Sequence, residues 1–393
     1  MRPFLFTIAA LMAAAPLQAQ QPIALGEAVA KAKTNYPALR ASRLQAGSVK
    51  TLRHAASPLA DLELSTGGEE IGHGNDAVAT LVAARQNLDL FTLGPRRRRM
   101  EREAMVVEAG TRLLERQLQW QVSLDYAADV AARRRLEQYR EQAKLYADFV
   151  AAAKLRYDTQ AASLLEYQTA QSHQRQVELS LIEAENDLAK AHVNLSRWLS
   201  ADTLYQSAED IDEFPALLPD SLAQHPALGL AREKVRLAEA VVGETRAAAL
   251  PKLYVEVGSQ KIGSRTGYWS WQVGLSLPVG FGANRARGRA AAIDAERARA
   301  ELQAEQRTLD AERRIMDSEY AKWRTTVDYY RASALPLAKE QRRSALLSYR
   351  EGAIGYLDFI QAVATAMQTE LSYVEAYAKL LETKFNLEYY KSK

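Results

Sequence analysis

The chain of 393 residues contains no cysteine. That excludes a disulfide scaffold, cysteine-ligated zinc and a thiol nucleophile. It also removes the residue that accepts a lipid anchor behind a bacterial export signal. Long apolar runs are missing too: nowhere past the first twenty residues do eighteen apolar positions follow one another, so no transmembrane helix is expected. Charge of one sign is lacking as well. The 51 Lys and Arg nearly balance the 48 Asp and Glu, for a formal net charge of +3, which offers nucleic acid no concentrated basic face. The five histidines (His54, His73, His173, His192 and His225) form no ligand pair at helical spacing, so neither a metal site nor a cofactor is expected. No Ser/His/Asp arrangement, phosphate loop or paired-carboxylate site supports catalysis, and the chain is not expected to be an enzyme.

Residues 1–19 are read as a secretory signal. Arg2 gives the positive start, residues 4–15 are apolar but too short to span a membrane, and Leu17-Gln18-Ala19 offers a small-residue cleavage site. A buried N-terminal helix is the alternative. Loss of this segment takes away one Arg and leaves a charge of about +2.

The rest of the sequence is written twice. Tyr36-Pro37-Ala38-Leu39 returns as His225-Pro226-Ala227-Leu228, and Pro58 with its following residues returns at Pro251. Phe91-Thr92-Leu93-Gly94 returns as Val279-Gly280-Phe281-Gly282. Residues 157–170 (YDTQAASLLEYQTA) return as 349–362 (YREGAIGYLDFIQA), and all four markers keep offsets of 188 to 193. Units this long are not solenoid repeats; they are two copies of one structural unit. The copies span residues 20–199 and 222–393, and 200–221 connects them.

Each copy has the same order of patterns. Short helical segments, 25–33 and 37–56 in the first copy, precede strand-like alternation at 59–70 and 77–91. In the second copy the strands lie within 252–280, where Trp269, Trp271, Val273, Leu275 and Leu277 alternate with small and polar residues. Strands of about 9–11 residues suit a tilted bilayer crossing; a half-buried strand of a soluble sandwich is the other reading. No proline occurs between Pro95 and Pro215, and residues 96–157 read as one helix of roughly 90 Å. A length of that order needs coiled-coil support. The next helix supplies a seam, Val177, Leu181, Ala184, Leu188, Ala191, Leu195 and Trp198, and a second stripe, Leu179, Ile182, Ala189 and Val193, on another face. Two stripes suit a helix with a neighbour on each side, as in the wall of a tube; a fully buried bundle helix remains open. Four strands cannot close a membrane barrel, because unpaired edges in lipid cost several kcal/mol per backbone group. If the strands cross a membrane, several chains close one barrel, and three would supply twelve strands.

This order resembles the TolC-like outer-membrane efflux family over essentially the whole mature chain. The two short-helix openings, the strand pairs ending at Gly94 and Gly282, and the two Tyr-to-Ala segments carry the resemblance. Leu335-Pro336-Leu337-Ala338, with Tyr349, Gly352 and Tyr356-Leu357-Asp358, is most similar to the branch serving heavy-metal cation efflux of the cobalt-zinc-cadmium type. The resemblance implies an α+β fold made mainly of long α-helices. It implies a homotrimer whose periplasmic α-helical barrel continues into a twelve-stranded outer-membrane β-barrel, four strands per chain. It further implies an exit duct in the outer membrane of a Gram-negative bacterium, in contact with lipid. A periplasmic adaptor and a proton-driven inner-membrane pump would feed it. Drug efflux or type I secretion on the same fold is the nearest alternative, and a soluble periplasmic coiled-coil adaptor is the alternative from another class.

On the same resemblance, residues 157–166 and 349–358 are helix turns at the tunnel tip. Tyr157, Gln160, Ser163, Tyr349, Gly352 and Gly355 are candidates for the turns and for adaptor contact. Asp358 matches an acidic-ring position, and Glu166 is its counterpart in the first copy. Gln361 stands where a second ring can be acidic, and Ile354 where one style of latch needs a base. Asp358 has two readings, a ring of carboxylates around an axis and a charge that stabilises the start of its own helix. Because the first turn has Gln160 and Ser163 where the second has Gly352 and Gly355, the two turns are expected to differ in backbone geometry. Trp269 and Trp271 are candidate membrane-interface aromatics. Arg96, Arg97, Arg98 and Arg99 oppose the dipole of the helix they begin, and are read either as solvated or as meeting lipid phosphates or acidic neighbours.

Overall fold

The computed structural model describes residues 21–52, 55, 59–71, 77–199, 203–210, 225–263 and 265–391. The signal-like segment 1–19, His54, His73 and most of the connecting segment 200–221 lie outside them.

The elements follow the duplicated pattern. A short strand β1 (Gln21–Ile23) precedes helices α1 (Leu25–Asn35) and α2 (Pro37–Leu52), strands β2 (Leu59–Ile71) and β3 (Ala77–Leu88), and helices α3 (Leu90–Asp158) and α4 (Leu164–Leu199). After strand β4 (Tyr205–Ser207) the second copy runs α5 (Pro226–Ala247), β5 (Lys252–Ile262), β6 (Arg265–Ser276), α6 (Phe281–Tyr329), α7 (Leu335–Arg350) and α8 (Tyr356–Tyr390). The 69 residues of α3 extend about 100 Å at 1.5 Å each. The helix starts before Pro95, not after it, so the strand expected to reach Phe91 ends at Leu88. A proline this near a helix start removes only one intrahelical bond.

Between α6 and α7 the chain makes a π-helical turn, Tyr330–Ala334, in which the Leu335 N–H donates to the Tyr330 carbonyl. Pro336 explains it. Its ring would collide with the carbonyl four residues back, and a one-turn widening of the helix removes the conflict.

The chain forms two units. One comprises the described residues up to Asn35, with Gln121–Pro215 and Lys322–Glu382. Here β1 and β4 pair in parallel. The connecting segment, expected to be irregular, therefore contributes a strand; three residues are too few to show periodicity. Side chains from α3 and α4 fasten this small sheet. Asp129 accepts from the Ser207 N–H at 2.8 Å, the Ser196 hydroxyl accepts from the Tyr205 N–H at 2.8 Å, and Glu209 accepts from the Leu25 N–H at the start of α1 and from the Tyr126 hydroxyl. His192 lies buried against Asp129 at 3.4 Å. On α4 the seam residues Ala184, Ala191 and Leu195 are buried, while Leu179, Ile182 and Val193 of the second stripe are more than half exposed. The bundle alternative fails among the described residues of one chain, because the second stripe stays more than half exposed there.

The other unit comprises Tyr36–Trp120, Ala216–Ala321 and Thr383–Lys393. It holds a four-stranded antiparallel sheet of order β2-β3-β5-β6. The strand register aligns residues in rows across all four strands. Leu64, Ala84, Val257 and Trp271 form one row and Leu62, Gln86, Val255 and Val273 the next. Alternation places both rows on one face. That face is bare in the single chain: Leu64, Trp269 and Trp271 are 74%, 75% and 80% exposed. A soluble sandwich would cover it with a second sheet, and the chain supplies none among the described residues.

In this unit Arg96 reaches Asp89 at 3.2 Å and Glu244 at 3.6 Å, and Arg99 reaches Glu244 at 2.6 Å and Glu103 at 2.9 Å. These two arginines meet acidic neighbours, not solvent alone. His225 begins α5: its Nδ1 accepts from the Ala227 N–H at 3.2 Å, and its Nε2 lies 3.1 Å from the Tyr389 carbonyl. Burial, aided by the Arg116 charge, holds the imidazole below its ordinary value.

Candidate functional site

The two turns expected at the tip both lie in the first unit, and they have the same backbone. In the first, the N–H groups of Thr159, Gln160 and Ala161 donate to the carbonyls of Leu155, Tyr157 and Arg156; in the second, Glu351, Gly352 and Ala353 donate to Leu347, Tyr349 and Ser348. In these three bonds every donor and acceptor moves by the repeat offset of 192, and the first turn adds a longer bond from the Ala162 N–H to the Arg156 carbonyl at 3.2 Å. Gln160 sits at φ 58° and Gly352 at φ 73°. The expected difference in backbone geometry is therefore wrong. Amides and other short polar side chains tolerate the left-handed region better than branched ones do, and the turn requires that conformation whichever residue occupies it.

The copies differ in how the following helices begin. Ser163 accepts from the Glu166 N–H at 3.2 Å, a side-chain cap for α4. Gly355 has no such side chain, and the exposed carboxylate of Asp358 lies in the first turn of α8, where the helix dipole favours it. Asp358 and Gln361 also line a groove of about 440 Å³ with Gln341, Ser344, Ser348 and Thr365. Glu166 does not share that groove; it lies close enough to Tyr356 to oppose ionisation of its hydroxyl.

An aromatic core joins the turns. Phe359 lies edge-on to Phe149 at 4.6 Å and stacks on Tyr349 at 4.7 Å. Arg156, the last cation of α3, donates to the Tyr349 hydroxyl at 2.5 Å and lies 5.2 Å from the ring centre. Tyr157 stacks on Tyr167 at 6.0 Å. Tyr356 is only 4% exposed, and burial pushes its hydroxyl well above the ordinary value. The structure thus brings Tyr157, Gln160 and Ser163 together at one turn, and Tyr349, Gly352, Gly355 and Asp358 at the other. The bond from Arg156 to Tyr349 was missed. The repeat pairs Tyr157 with Tyr349, but no periodicity reveals which cation crosses between them.

The second feature of interest is the sheet face opposite the tryptophans. Here Glu63, Arg85, Glu256 and Gln272 stand in one row across β2, β3, β5 and β6. Arg85 Nε lies 2.6 Å from Glu256, and Asn87 donates to Glu63 at 2.8 Å. A sheet with one mainly apolar face, interrupted by Gln86, Thr66 and Ser259, and one charged face suits a boundary between two media. Trp269 and Trp271 stand on the apolar side. Among the described residues no group of three or more His, Cys, Asp or Glu side chains could hold a metal ion, and no helix is long and apolar enough to cross a membrane.

Residues 217–390 match the family described as Outer membrane efflux protein. Over 213 residues the chain is 24% identical to the cobalt-zinc-cadmium resistance protein CzcC of Cupriavidus metallidurans, an alignment covering 52% of this chain and about half of that protein. Among solved structures, a membrane protein from Pseudomonas aeruginosa superposes with a TM-score of 0.82 at 20% identity, covering 93% of this chain and 92% of that one. CusC, whose structures concern folding and transmembrane channel formation, superposes at 0.79 with 17% identity, covering 94% and 92%. Over nearly its whole length the chain shares its fold with these two solved structures.

Proposed function

We propose that this chain, an outer membrane efflux protein by the match of its second half and by its fold, is the exit duct of a tripartite efflux system. It acts as a homotrimer in the outer membrane of a Gram-negative bacterium, with the helices in the periplasm. Substrate arrives from a proton-driven inner-membrane pump through a periplasmic adaptor, and passes outward without any chemical step. Heavy-metal cations are the cargo class, on the likeness to CzcC.

The observation that carries the reading is the sheet. Its apolar face is continuous over four strands, and β2 and β6 each pair on one side only. In hydrocarbon an unpaired edge costs several kcal/mol per backbone group. Three sheets joined edge to edge remove all six edges and make twelve strands. The exposed second stripe of α4 supports the same assembly, since a neighbouring chain would bury it.

The test is the mass and location of the mature protein. A detergent-solubilised particle of three chains from the outer-membrane fraction supports the reading. A soluble periplasmic monomer refutes it and favours the adaptor class.

A further inference from the structure

We propose that the row Glu63–Arg85–Glu256–Gln272 is a charge girdle that sets the ion preference of the barrel lumen; this rests on the channel reading above. The row crosses the full width of the chain's sheet and faces away from the apolar side. Its members are locked together. Arg85 pairs with Glu256 at 2.6 Å and lies over the Tyr254 ring at 4.8 Å. Gln272 donates to the Tyr254 hydroxyl at 3.0 Å, and Asn87 holds Glu63 at 2.8 Å. Tyr254 can lie across the face only because position 274 is glycine: a Cβ there would stand 2.3 Å from the ring. The row therefore presents fixed charges, two carboxylates against one guanidinium, for a net of one negative charge per chain.

Twelve strands about 4.8 Å apart and tilted by about 40° form a barrel of roughly 12 Å radius at the backbone. Three uncompensated charges at that radius, in water at about 10 mM salt, enrich monovalent cations about threefold on the axis; at about 1 M the effect vanishes. Lys252 stands on the same face four residues from Glu256, roughly 13 Å away along the strand, and other lumen charges shift the absolute preference. Changes at the row itself isolate its share.

The experiment is the zero-current potential of the reconstituted trimer in a potassium chloride gradient near 10 mM, in an Asp358→Ala, Glu166→Ala background so that these tip carboxylates do not contribute. Arg85→Gln gives the trimer three more uncompensated negative charges, which enrich cations and deplete anions about threefold each. It is therefore expected to raise the cation-to-anion permeability ratio about tenfold, and Glu256→Gln to lower it about tenfold. Arg85→Lys, which keeps the charge, should stay at the starting value, as should Arg85→Gln combined with Glu256→Gln. Should the Arg85 variants fail to assemble, Gln272→Lys adds a charge at a position that forms no ion pair with the row's carboxylates and is expected to lower the ratio by the same factor. Ratios that do not follow the row's net charge overturn the girdle and leave the duct intact. A trimer that does not conduct at all overturns the duct, and the girdle with it.

Discussion

Exchanging the residues at the left-handed position of the two turns separates backbone strain from side-chain contacts. Gly352 sits at φ 73°, with nothing within 4 Å of where a Cβ would point, so Gly352→Gln adds conformational strain without a clash. An L-residue in that region costs about 1–2 kcal/mol, and the lower entropy of the unfolded non-glycine chain returns about 0.4–1 kcal/mol. The net loss is about 0.5–1 kcal/mol, a two- to fivefold increase in local opening. Hydrogen exchange reads this at the Ala353 N–H, which donates across the turn to Ser348 at 2.8 Å. Its counterpart is the Ala161 N–H, which donates to Arg156 at 2.7 Å. Gly352→Gln should speed exchange at Ala353 by about two- to fivefold and leave Ala161 unchanged. Gln160→Gly should slow Ala161, since Gln160 already stands at φ 58°. Faster exchange at Ala161 in Gln160→Gly would refute the reasoning, because it would mean that the glutamine side chain holds the turn.

Three further outcomes follow from the geometry. Tyr349→Phe keeps the stack on Phe359 but loses the bond from Arg156; a double-mutant cycle with Arg156→Ala in denaturant unfolding should show a coupling of about 1 kcal/mol, and additive losses would contradict it. His225 is held below its ordinary value of 6.5 by burial, so its contribution to stability is present above that value and lost as pH falls through the lowered one. The melting difference between the wild type and His225→Asn should therefore shrink on going from pH 7.5 to 5, and a difference independent of pH counts against the neutral cap. Asp358→Ala should raise single-channel conductance if a ring of carboxylates restricts flow. Unchanged conductance with a lower melting temperature assigns Asp358 to the start of α8 alone.

Much of this fold was legible because the sequence states it twice. The strand pairs, the long helices and the position of both turns follow from markers at a near-constant offset, and the two apolar stripes of α4 separate in the structure as their spacing requires. What stayed hidden depends on contacts distant in sequence. Strand β4 is only three residues long and exists because Asp129 and Ser196 hold it. The π-helical turn could have been suspected from Pro336, but a kink or a helix break would have fitted as well. The row of Glu63, Arg85, Glu256 and Gln272 needs the register of three strand pairs, which no single strand reveals. At the turns the error ran the other way. Glutamine and glycine look dissimilar, yet the hydrogen-bond pattern imposes one conformation on both.

The central claim is that β2 of one copy pairs with β6 of the next and that three copies close the ring. The absence of native cysteine makes that directly measurable. Ser65 and Ser270 end the same row on opposite edges of the sheet, joined through Ala83 and Gly258. Chains carrying Ser65→Cys together with a cysteine at Ser270, or at Tyr268 or Gln272 to allow for register, are oxidised in the outer membrane and separated without reductant. A ladder that stops at three chains is the expected result. No cross-link at any register, or a ladder that runs past three, would contradict the closed barrel.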